Sequence, residues 1–363
     1  MAGLDGCIVV APENLFYIAG YDSINSYISP QALVFSVRDD LDPTLLVRDL
    51  DLPLARETTW LPDVRVYQLN RDDAAKKIAD IVREHGGEGG RWGIEMRSYA
   101  VTAAYAASIK GALGASQLVD AGEVLSRLQY VKSPAEIAYV REAASYANIG
   151  VDAARSALRS GMTEFALCGA VEHAMRVAGS DYSSIPTQCA SGSRSPGGHA
   201  TAMPRIIREG EIVHLEFAGV ARRYHSVSMV TMATGEPGPQ ARHLYDVGLQ
   251  SLRSGLEKCK PGAHVADIDN ASLIPIEKAC LLEAAQMRFG LGIGIGYPPV
   301  WEGTFQIDRF SDGVLLPGMV FYLHSWLAQP DQGLGVMLGG SYLVTDTGCE
   351  PLSGAGPVEL FVS

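Results

Sequence analysis

The chain has 363 residues, 47% of them apolar, and a formal net charge of −12. That length exceeds one ordinary hydrophobic core and suits two domains, and the acidic balance, with no clustered basic stripe, argues against a nucleic-acid or anionic-membrane partner. Six widely spaced cysteines with no CxxC pair speak against a zinc site or a disulfide frame and predict reduced thiols in a cytoplasmic protein.

The opening MAGLDGCIVV lacks a basic n-region and a long apolar stretch, so it reads as a strand rather than a signal peptide. "DGCIVVA", "QALVFSV" and "TLLVRDL" read as strands, and "RDDAAKKIADIVREHGG" as a helix that stops at glycine. A small α/β domain over 1–126 follows, with a second domain over 127–363. Ser133 as N-cap, Pro134 at the first helical position and Glu136 completing a capping box start a long helix. Its apolar stripe is Ile137, Val140, Ala144, Ala147 and Val151, and Gly161 is its expected end. Thr163 caps a second helix over about 164–178. Strand-like runs then cover 211–217, 224–233, 289–297, 316–326 and 335–345, with a helix or two in 240–288. The second domain is therefore α+β: helices packed on a curved, mostly antiparallel sheet. The longest uncharged run, 313–330, is broken by prolines and reads as a buried strand rather than a membrane span.

One stretch carries chemistry. "HLEFAGVARRYHS", 214–226, reads as strand, turn at Gly219 and the basic pair, then strand. Alternation puts Val213, Leu215 and Phe217 on one face and His214 and Glu216 on the other. A buried carboxylate is costly unless neutralised, hydrogen-bonded or used. Read structurally, Glu216 is held by a nearby Arg or Tyr; read functionally, it reacts. "GLGIGIG" has no strand-to-helix GxGxxG with a following acid, so it is a strand approached closely by its surroundings and not a dinucleotide site. No Ser-His-Asp order is evident.

The series "LQYVKSPAEI", "GMTEFAL", "REGEIVHLEFAGVARRYHS", "KPGAHVADI", "GLGIGIGYPP", "LLPGMVFYLHSW" and "GSYLVTDTG" resembles the pita-bread metallopeptidase family of aminopeptidase P, prolidase and creatinase over 127–350. "APENLFYIAGY" resembles the creatinase-type N-terminal domain. The resemblance implies five metal-ligand positions, which fall on Glu216, Val227, Ile293, His324 and Gly340. Only the first keeps a carboxylate, and a hard metal pair needs several oxygen ligands, so no metal and no cofactor is expected.

"LEFAGVARRYHS", "GIGYPPVW" and "NLFYIAGYDSINSYISPQ" are similar to the metal-free ectoine hydrolase branch of the family. That resemblance implies hydrolysis of a C–N bond in a cyclic amidine, guanidino or cyclic imine compound, with Glu216 as nucleophile or base. His199 matches the histidine on the family's substrate side and becomes the acid/base; it also fits a surface loop. His324 is a further catalytic candidate or a buried histidine bonded to a carbonyl. Tyr224, Tyr297, Trp301 and Tyr322 are candidate pocket aromatics, or plain core. "SINSY", Gly340 and Met337 depart from the ectoine branch and point to a different small substrate. The family further implies a homodimer in which Tyr21, Tyr27 and Gln31 approach the pocket of a partner chain. Two other functions stay open: a lyase or cyclase of the same fold, and a binding protein that has lost activity.

Overall fold

In the computed structural model, which describes residues 3–38, 40–87, 89–285, 289–301, 303, 305–354 and 359–363, the first apolar runs form strands. These are β1 (Gly6–Val9), β2 (Ala32–Ser36) and β3 (Thr44–Arg48), joined by β4 (Asp63–Tyr67), β5 (Arg91–Ile94) and β6 (Gln117–Asp120). They make one mixed sheet in the order β4-β3-β2-β1-β5-β6. The helices are α1 (Pro12–Ala19), α2 (Leu52–Thr58), α3 (Ala74–Glu84), α4 (Ala103–Ala112) and α5 (Gly122–Leu128). Alternation along the strands gives two cores. Ile8, Val34, Leu46, Trp92 and Ile94 pack with Ile78, Val82 and Ile109 on one side, and Val9, Leu33, Leu45 and Val47 pack with Leu15 and Tyr21 on the other. The Asp73 side chain caps α3, accepting from the backbone of Ala75 and Lys76. This unit runs Met1–Leu128, and a second runs Gln129–Ser363.

The second unit opens with α6 (Pro134–Ala157), started by the expected capping box of Ser133 and Glu136. It ends at Ala157, before Gly161, because Leu158 turns extended to bury its side chain. Then come α7 (Glu164–Ala178), β7 (Gln188–Ser191), β8 (Ile212–Ala221), β9 (Tyr224–Ala233), α8 (Pro239–Leu256) and α9 (Val265–Lys278). The last strands are β10 (Gly290–Gly292), β11 (Gln306–Ile307), β12 (Val320–Gln329), β13 (Leu334–Val344), β14 (Cys349–Pro351) and β15 (Phe361–Val362). The sheet order is β11-β10-β12-β13-β9-β8-β7, with β14 on β13 and β15 on β9. All its pairings are antiparallel except that of β15 with β9. This is the pita-bread arrangement, preceded by a creatinase-type α/β domain.

The β8–β9 turn corrects the sequence reading. It is made by Arg222 and Arg223 alone, with φ of 48° and 66°, the left-handed pair of a two-residue hairpin. Gly219 lies inside β8. A Cβ there would collide with the Ala143 carbonyl and the Ala147 amide of α6, so the glycine serves close helix–strand packing. Of the run 289–297, only Gly290–Gly292 joins the ladder.

Helices cover one face of the sheet. Val213, Leu215, Phe217, Val230 and Met232 pack in a core with α6 and α7, and Phe321, Leu323, Leu327, Val336 and Leu338 in another with α8 and α9. The opposite face carries Glu216. All six cysteines are free thiols, and no described helix is long and apolar enough to cross a membrane.

Candidate active site

Strand register builds the site. His324 on β12 pairs with Gly339 on β13, Gly339 with Met229 on β9, Met229 with Glu216 on β8, and Glu216 with Gln188 on β7. Paired residues share a face, so these five residues form one row across the face opposite the helices. The residues one step along each strand point into the cores described above, which fixes the orientation of the row.

Glu216 is only 6% exposed. Its Oε1 accepts a hydrogen bond from the Tyr322 hydroxyl at 3.0 Å. The Gln188 amide, oriented so that its nitrogen faces acceptors, donates to Oε2 at 3.2 Å and to the Gly198 carbonyl at 3.1 Å. These donors hold the buried carboxylate, one at each oxygen. Tyr322 is fully buried, and burial together with the neighbouring Glu216 charge pushes its phenol well above the usual range. The phenol therefore stays protonated and acts as donor. His324 lies next to Tyr322 on the same face, their ring centres 5.1 Å apart.

His199 is exposed, in the loop after β7. Its chain neighbour Gly198 is buried against the Trp326 indole, where a Cβ would collide with the ring. Gln188 thus links the backbone beside His199 to Glu216. Sequence reasoning missed Gln188, because an uncharged residue on a short edge strand gives no chemical signal.

The five positions that the resemblance marks for metal can be tested on this face. Glu216 and His324 carry donors. Val227 is buried, and its backbone N–H donates to the Ser341 hydroxyl, which in turn donates to the Val227 carbonyl. Ile293 is likewise buried. The fifth position needs correction: Gly340 pairs with Leu323 and turns toward the helix side, whereas Gly339 pairs with His324. A one-residue slip reverses the face. Neither glycine offers a side-chain donor. Among the described residues no group of three or more His, Cys, Asp or Glu could hold a metal ion. One carboxylate and one imidazole do not fit a pair of hard divalent ions.

The remaining aromatic candidates lie elsewhere. His225 is four residues along β9 from Met229, about 13 Å at the strand rise. Around it sit Trp301, at 6.4 Å between ring centres, and Arg223, whose guanidinium lies 3.9 Å from the Tyr182 ring centre and 5.5 Å from that of Tyr297. The cation expected of a ligand at Tyr297 is thus supplied by Arg223. His225 Nδ1–H donates to the Arg223 carbonyl, and Nε2 accepts from Ser184 N–H. Tyr224 stacks on Tyr139 and donates to Glu136, at the far end of β9. In the first unit Tyr21 is 1% exposed and belongs to that unit's core, so it offers no surface to a ligand. Tyr27 is half-buried in a short turn. Gln31 is buried and donates to Asp51.

The model of metallopeptidase family M24 matches residues 138–346, and that of the creatinase/prolidase N-terminal domain matches residues 1–131. The chain is similar to an uncharacterized hydrolase/peptidase, y4tM, of Sinorhizobium fredii, with 31% identity across 99% of this chain and 93% of that protein. It is 28% identical to the ectoine hydrolase of Halomonas elongata, again over 99% and 93%. Among solved structures, an Xaa-Pro dipeptidase from Bacillus anthracis superposes with a TM-score of 0.87 and 23% identity, covering 100% of this chain and 96% of that one.

Proposed function

Since the chain belongs to metallopeptidase family M24, we propose that it is a hydrolase that has left metallopeptidase chemistry: it opens a C–N bond in a small cyclic amidine, guanidino or cyclic imine compound without a metal. The observation that carries this reading is the Glu216 row. Within that row Glu216 is the one carboxylate, its register neighbours being Met229, Gly339 and an amide, with a tyrosine as a further donor. The similarity to an ectoine hydrolase supports the substrate class.

The chemistry follows from the residues. An amidinium carbon is electrophilic, and a carboxylate pairs with the amidinium before it reacts. Glu216 then adds to that carbon, the C–N bond breaks and water hydrolyses the resulting ester linkage to free the carboxylate, or Glu216 takes a proton from the water that attacks directly. Tyr322 and Gln188 hold both carboxylate oxygens in place during this step. The leaving nitrogen needs a proton, a role we give to His199, whose chain neighbour Gly198 is tied to Glu216 through Gln188.

The test is a panel of ectoine, other cyclic amidines, cyclic imines, guanidino acids and Xaa-Pro dipeptides, assayed with EDTA and with added manganese. Turnover of an amidine or imine that EDTA leaves unchanged supports the reading. Dipeptide cleavage that tracks with added or bound metal overturns it.

A further inference from the structure

Glu164 is the most enclosed carboxylate of the second unit that the reaction above does not use: it is 0% exposed, in the first turn of α7. Its oxygens meet four donors and no acceptor. Oε1 accepts from the Ser191 backbone N–H at 2.9 Å and the Ser191 hydroxyl at 2.7 Å. Oε2 accepts from the Met203 N–H at 2.9 Å and from the Arg194 guanidinium. Arg194 also donates to the Thr201 carbonyl at 2.8 Å.

These partners are not scattered. The chain leaves the sheet at Ser191, the last residue of β7, and returns at Thr201–Met203. The intervening segment has the form of an Ω-loop, and Glu164 closes its neck from both sides. His199 sits near the returning end, two residues before Thr201, which bridges Gln188, and next to Gly198, whose carbonyl shares the Gln188 amide with Glu216. The middle of the loop is fixed from inside, where His214 Nε2–H donates to the Ser195 carbonyl and the Ser195 hydroxyl accepts from Gly335 N–H.

We propose that Glu164 is a positioning residue that sets His199 against Glu216 by clasping both ends of the loop that carries it. The inference rests on the role given to His199 above. A carboxylate suits the task because it only accepts, and all four of its partners donate. Glutamine has the same shape, but its NH2 group would face donors on one side and open the clasp there.

The test is steady-state kinetics of Glu164→Gln, His199→Ala and the double variant on the panel compound that is turned over fastest, with thermal midpoints. A loosened clasp lowers kcat by ~10-fold or more while KM stays within ~2-fold, and the double variant is no slower than His199→Ala, because the two act through one step. A purely structural glutamate would instead lower the thermal midpoint and leave kcat of the folded protein intact, or its effect would multiply with that of His199→Ala; either result overturns the inference. Should Glu164→Gln not fold, Arg194→Met removes the half-exposed side of the clasp and is held to the same criterion. Wild-type kcat in His199→Ala would remove His199 from the reaction and the clasp's purpose with it; that outcome differs visibly from a failure of Glu164 alone.

Discussion

The Tyr322 hydroxyl donates to Glu216 Oε1 at 3.0 Å, joining residues 106 positions apart on strands β12 and β8. Two other strands, β13 and β9, lie between them. The contact crosses the face where Gly339 contributes no side chain, and it ties the carboxylate to the neighbouring row, where Tyr322 pairs with Ser341.

Tyr322→Phe keeps the ring and removes that donor. The buried carboxylate then loses the donor on its Oε1 side. A hydrogen bond to a charged group contributes ~1.5–3 kcal/mol, so stability by denaturant titration should fall by about that amount. Turnover should fall as well, because Glu216 gains freedom.

Gly339→Ala probes the correction to the register. A Cβ at Gly339 would collide with the Leu323 carbonyl and press on His324. Overpacking of this kind costs ~1–3 kcal/mol, and the thermal midpoint of the second unit should drop accordingly. An unchanged midpoint would mean that β13 is not in the register described.

Buried groups in the two units pull stability in opposite directions with pH. In the second unit, burial lowers His214 and His225 to about 4, against the ordinary 6.5. Both are neutral in the fold and gain protons on unfolding below 6.5, so their contribution to stability is lost as pH falls from about 6.5 toward 4. In the first unit, burial raises Glu95 to about 7 despite bonds from Val10 N–H, Ala11 N–H and Asn14. This carboxyl is protonated in the fold where the unfolded chain has already ionised, so its contribution falls as pH rises from about 4.5 to 7. Calorimetry across pH 4–8 should show Glu95→Gln gaining stability relative to the wild type as pH rises, which isolates the Glu95 contribution from that of His85 in the same unit. His214→Asn should flatten the acid-side loss in the other unit.

What the sequence disclosed was mostly local. The start of α6 was legible because Ser133, Pro134 and Glu136 sit within four residues and act on one another. The strands of the first domain were legible from runs of apolar residues. Gly219 misled because a glycine beside charged residues suggests a turn, whereas here it admits the backbone of α6, and the turn falls on two arginines with no turn signature. Gly340 was one position out because nothing in "LGG" states which glycine faces the site; only pairing with His324 does. Glu216 could be picked out by alternation and Tyr322 as a pocket aromatic, yet the pairing of the two, and Gln188 altogether, could not, since both depend on strand order. Glu164 was hidden by its position, for an acid after an N-cap threonine is ordinary helix chemistry. Its four donors arrive from a loop about thirty to forty residues on.

Glu216→Gln tests the central claim most directly. The substitution keeps the shape, removes the charge and leaves an oxygen to accept from Tyr322. If Glu216 is the nucleophile or base of a metal-independent C–N hydrolysis, kcat on the compound found in the panel, measured in EDTA, should fall by at least ~100-fold. The fold should survive; removing a buried charge offsets the loss of the Gln188 bond, whose amide would face the new NH2 group. Wild-type kcat in Glu216→Gln would contradict the account and move the chemistry away from this carboxylate.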